Sequence, residues 1–110
     1  MPDKEKTMIK HIVCFKLKDC TPQKAETARD LLLSMKGRVP EVRELFVGVD
    51  FLHSERSYDL ILEVTVDDRA ALERYQNDPY HCGTVKKHMH AVRESSVAVD
   101  VELPEETPEK

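Results

Sequence analysis

Residues 73–82 read ERYQNDPYHC, and Tyr75 and His81 within that run are two side chains suited to moving a proton. A third, His11, sits in the stretch MIKHIVCFKLKD. An imidazole titrates near neutral pH and a phenol donates a hydrogen bond, so the set suits general acid–base work. If Asp78 caps a helix and Pro79 is its first residue, His81 lies in the first turn, where the positive end of the helix dipole disfavours imidazolium. A neutral imidazole is what a general base needs, and a positioned base contributes roughly 10²–10⁴-fold to rate. The plainer alternative is a core histidine satisfied by a carbonyl or hydroxyl, beside a tyrosine that buries its ring and keeps its hydroxyl wet.

Other constellations carry less. His88 and His90 are two apart and fall on different helix faces. His81 and His88 stand about 10 Å apart by helix rise. Cys82 has Lys86, not a ligand, one turn on. No zinc spacing results, and no metal site or cofactor is expected. Gly-rich phosphate loops and a Cys nucleophile with a patterned His partner are also missing from the sequence.

The elements that must position these groups follow from hydrophobic period. In MIKHIVCFKLKD, Ile9, His11, Val13, Phe15 and Leu17 alternate with Lys10, Ile12, Cys14 and Lys16, which predicts a strand with His11 turned toward the helices. TPQKAETARDLLLSMKGRVP predicts a helix, with Thr21 as N-cap, Pro22 at the first position, apolar spacing through Met35 and a stop at Gly37. VRELFVGVDF and YDLILEVTVD predict strands two and three, and SSVAVDVEL a fourth. RAALERYQND and YHCGTVKKHMHAVR predict helical pieces broken at Asp78-Pro79. His81, Val85, Met89 and Val92 then form one inward stripe. The order is β-α-β-β-α-β, an α+β, ferredoxin-like split βαβ with a four-stranded antiparallel sheet.

Tyr58, Leu60, Leu62, Val64 and Val66 on strand three, and Val97, Val99 and Val101 on strand four, are expected to face the helices. The opposite face keeps Ile12, Cys14, Ile61 and Ala98 among Glu63, Thr65 and Asp100. A solvated face is mostly polar, so a second sheet is expected over this one, supplied by a homodimer.

Composition sets the outer bounds. A chain of 110 residues, 40% hydrophobic and 35% charged, is one domain with a small core. Its net charge of −4 is concentrated in the last nine residues, which carry −3. With no basic stripe, nucleic acid is not an expected partner. No apolar run approaches the roughly 18 residues needed to span a bilayer, so no membrane partner is expected either. Three cysteines without a C-x-x-C, and an N-terminus without a signal-peptide core, point to a reducing, cytoplasmic setting. Residues 1–7 and 103–110 are expected to be polar, frayed tails around a domain at 8–102.

Several separated stretches match one family in order: IKHIVCFKLKD, VGVD, YDLILEVTVDDRAALERYQNDPYH and VAVDVE. On these the chain resembles the stress-responsive α/β barrel (Dabb) domain family of the dimeric α+β barrel superfamily. The resemblance implies a dimeric barrel of two sheets face to face. It implies little about activity, since many members have no assigned reaction. In a plant cyclase branch a His at the position of His81 and a Tyr at that of Tyr75 do acid–base work, and the His at the position of His11 lines the same pocket. This chain departs from that branch at Leu60, where the branch carries a further His. The resemblance implies a small apolar or polyketide-like ligand between sheet and helices, with Phe15, Tyr58, Leu60, Val85 and Met89 expected around it. The alternative is a cofactor-independent enzyme, a cyclase, isomerase or oxygenase, in which His81 abstracts a proton and Tyr75 hydrogen-bonds the enolate.

Overall fold

A computed structural model describes residues 7–104 of the chain. The tails expected at 1–7 and 103–110 lie outside the described residues, except for Thr7, Leu103 and Pro104. The alternating run Ile9–Leu17 forms β1, followed by α1 (Pro22–Leu33), β2 (Glu44–Val49) and β3 (Leu60–Val66). After α2 (Arg69–Gln76) comes a π-helical segment, His81–Lys86, which runs into α3 (Lys87–Val92) and then β4 (Arg93–Glu102). The sheet is antiparallel in the order β2-β3-β1-β4, the expected split βαβ topology.

Helix starts follow side-chain chemistry. Thr21 caps α1 by accepting from the Lys24 amide, with Pro22 behind it. Asp68 caps α2 by accepting from the Ala71 amide at 2.8 Å. The first helix ends sooner than its apolar spacing predicts. At Ser34 the hydroxyl turns back to the Leu31 carbonyl, and tight turns through Met35 replace the helix. Gly37, at φ 84°, closes the run in the left-handed region. Met35 remains fully buried outside the helix.

On β1 the residues Ile9, His11, Val13, Phe15 and Leu17 are buried and the alternate ones half-buried. Leu60, Leu62, Val64 and Val66 of β3 share that buried face, against Ala28, Leu32, Met35, Ala71 and Tyr75.

Strand β4 overturns the expected facing. Its register sets Ser96 opposite Phe15, Ala98 opposite Val13 and Asp100 opposite His11. Directly opposed residues of an antiparallel pair share a face. Ser96, Ala98 and Asp100 therefore look toward the helices, and Val97, Val99 and Val101 lie on the open face beside Cys14, Ile12 and Lys10. An apolar row alone could not settle the phase, because this sheet carries apolar residues on both sides. The open face is thus greasier than its sequence reading: Val99 is 56% exposed, and Val97, Val101 and Phe46 are exposed with it. Its charged pair, Lys10 with Glu63, is 3.3 Å apart.

Two substitutions separate core from cap. Leu60 is 2% exposed within the main cluster; Leu60→Ala is expected to cost about 2–5 kcal/mol, read from the denaturant midpoint. Asp68→Ala, which removes a cap, is expected to cost about 1 kcal/mol in the same measurement.

Candidate functional site

Three of the sequence-selected side chains converge. Tyr75 ends the buried stripe of α2, and His81 opens the π-helical segment six residues later. Between them, the Asp78 carboxylate accepts from the Tyr80 and His81 amides at 2.8 and 3.0 Å, fixing the corner. The His81 ring stacks on Tyr75 with centroids 4.3 Å apart and an interplanar angle of 27°. His11, projecting from β1, meets the Tyr75 ring edge-on, with centroids 5.7 Å apart at 62°. Turns of the π type recur at functional sites, and here the widened turn begins at His81.

The contacts differ from a simple acid–base pair. Tyr75 presents its ring to His81, while its hydroxyl donates to the Met35 sulfur at 3.7 Å. Burial pushes the phenol pKa well up, with the Asp78 charge adding to it, so the group stays protonated. His81 Nδ1 is buried and has no hydrogen-bond partner. An orphaned buried polar atom costs about 1–3 kcal/mol. Burial first, then the charges of Lys86 and His11, lower the His81 pKa to about 4. The imidazole is therefore neutral, as its place in a first turn predicts, but desolvation is the main cause.

Asp100 is a site residue that the sequence reading placed on the wrong face. Its carboxylate lies 2.5 Å from Nδ1 of His11. A carboxylate there holds a proton on Nδ1 and fixes the orientation of the ring. The signal that could have revealed it is His11 itself, a polar side chain in an apolar row that must find a partner on the neighbouring strand.

A cavity of about 210 Å³ adjoins these rings, bounded by β1, β4, the π-helical segment and α3. Of the expected lining residues, Phe15, Val85 and Met89 border it, together with His11, Tyr75 and His81. Leu60 and Tyr58 do not. Leu60 is packed in the core opposite Phe15, and the Tyr58 ring lies 6.0 Å from the Lys16 ammonium. Leu62, one step along the same inward row of β3, is the one of that row that borders the cavity. Sequence reasoning also missed the polar part of the wall, Gln76, Lys86, His90, Arg93 and Ser96. Two larger hollows, of about 740 and 400 Å³, flank the two sides of the start of α1. The orphaned His81 nitrogen belongs to neither. Among the described residues, no group of three or more His, Cys, Asp or Glu is placed to hold a metal ion, and no helix is long and apolar enough to cross a membrane.

Comparison with known proteins places the architecture. The family model described as the stress responsive A/B barrel domain matches residues 9–103. No curated protein matches the chain. A dimeric ferredoxin-like protein of unknown function from Thermobifida fusca is 25% identical, with a TM-score of 0.77 over 87% of this chain and 91% of that one. Hydroxynitrile lyase from Passiflora edulis is 18% identical, with a TM-score of 0.77 over 94% of this chain and 99% of that one. SnoaB, a cofactor-independent oxygenase from Streptomyces nogalater, is 13% identical, with a TM-score of 0.70 over 94% and 99%. At those last two identities the likeness is one of fold.

The electrostatics of His81 are open to measurement. Its ring is expected to titrate near pH 4, followed by NMR, against an ordinary value of 6.5. Because the folded pKa lies below the unfolded one, the unfolded chain binds more protons between them. Stability held above pH 6.5 is therefore lost as pH falls toward about 4, and His81→Gln is expected to flatten that part of the pH–stability curve.

Proposed function

We propose, from the premise that this chain belongs to the stress responsive A/B barrel domain family, that it works as a homodimer whose protomers each hold a small, mainly apolar ligand between sheet and helices. The observation that carries the ligand site is the neutral His81 ring on the wall of a cavity lined by Phe15, Val85 and Met89. A neutral imidazole keeps one ring nitrogen as an acceptor, so it favours a hydrogen-bond donor on the ligand. The volume of about 210 Å³ lies below the roughly 300 Å³ at which drug-sized pockets begin, so the ligand is a small one. The exposed apolar row of Val97, Val99 and Val101 supports the dimer, as does the dimeric state of the Thermobifida fusca protein.

A second reading is favoured by the carboxylate on His11. A ring oriented by Asp100, next to a neutral His81, is a workable arrangement for cofactor-independent proton transfer at a carbon acid. In that case His81 takes the proton from carbon and becomes imidazolium, the electron pair passes to the carbonyl as an enolate, and the Tyr75 hydroxyl leaves its weak thioether contact to donate to the enolate oxygen. His11 then orients or relays.

Phenol and benzene, which differ in one hydrogen-bond donor, test the ligand site. Phenol is expected to shift the methyl signals of Val85 and Met89 and the ring signals of His81, and to bind about tenfold more tightly than benzene, as one recovered hydrogen bond implies. His81→Phe is expected to erase that preference. Saturating phenol without any change at these residues would contradict a ligand site here.

A further inference from the structure

Two cations and a histidine gather on the wall of this cavity, and none of them is used. Lys86 and His90 stand one helical turn apart, and Arg93 follows where α3 gives way to β4; all three line the same space. Among the described residues, none of the three has a carboxylate in ion-pair range. Arg38, which lies over the Tyr80 ring, shares this lack of a carboxylate partner, whereas four other arginines are paired. Arg29, Arg43, Arg69 and Arg74 each lie against an aspartate or glutamate.

The acidic groups nearby do not neutralise the cluster. Asp100 is engaged by His11 and is not part of the cavity wall. Asp78 is occupied by two backbone amides and also lies off the wall. Inside, the neutral His81 offers no counter-charge. The cavity therefore has an apolar floor of Phe15, Val85 and Met89 and a wall whose uncompensated charges are positive.

We infer that the ligand is an apolar molecule bearing a carboxylate, with Lys86 and Arg93, assisted by His90, receiving the carboxylate while the apolar body lies against Phe15, Val85 and Met89. This rests on reading the cavity as a ligand site and narrows its ligand class. Arg93 can offer a carboxylate two parallel N–H bonds, whereas Lys86 acts as a point charge. The attraction is screened in part by solvent at a half-open site, so it sets preference among ligands more than total affinity.

The test compares benzoate with benzamide, a pair of nearly the same shape that differs in charge, by NMR titration of the Val85 and Met89 methyl signals near neutral pH. Benzoate is expected to bind about tenfold more tightly, in line with charge-assisted hydrogen bonding. In the double variant Lys86→Gln/Arg93→Gln that preference is expected to fall within about twofold, chiefly through weaker benzoate binding. Equal binding of the two by the parent protein would overturn the carboxylate while leaving the ligand site standing. A preference for benzoate that survives in the double variant would overturn the role of these cations. Failure of benzoate, benzamide and phenol alike would remove the ligand site, and this inference with it.

Discussion

The antiparallel register between β1 and β4 fixes both halves of this molecule at once. With Asp100 opposite His11, the carboxylate reaches the imidazole, and the intervening Val97, Val99 and Val101 must point to the other side. A slip of one residue would exchange these sets. The valines would then crowd the cavity, and Asp100 would stand on the open face beside Ile12 and Cys14. One pairing choice thus orients a histidine and creates an apolar surface that needs cover.

On the helix side, the consequence is a small polar cluster inside an apolar layer. Tyr75 is packed between two imidazoles, and its hydroxyl is turned to Met35. That leaves the ring as a platform and the histidines as the groups whose nitrogens can meet a ligand. Desolvation does opposite things to the two kinds of group: it holds the phenol protonated and the His81 imidazole unprotonated. Both stay uncharged at neutral pH, which suits an apolar guest. The charge sits on the wall, at Lys86 and Arg93, where water still reaches.

Much of this was legible in the residues. The strict alternation of β1 placed His11 on the inner face. The spacing of His81, Val85 and Met89 gave one buried stripe, and Thr21-Pro22 marked the start of α1. What could not be read was the phase of SSVAVDVEL, whose valine row is plain but could belong to either side of a sheet with apolar residues on both faces. There the decision belongs to tertiary pairing rather than to local pattern. The π-helical turn at His81–Lys86 has no distinctive local signature either, because its residues satisfy an α-helical stripe equally well. Leu60 and Tyr58 were expected near the ligand because they share an inward row, but a row spans more length than a cavity of this size.

The claim most exposed to a single measurement is that a second copy of the chain covers the face bearing Val97, Val99 and Val101. Sedimentation equilibrium at micromolar concentration should give the mass of two chains, and Val99→Lys should give one chain with unchanged secondary structure. A parent protein that sediments as a stable single chain, with those valines open to solvent, would contradict it.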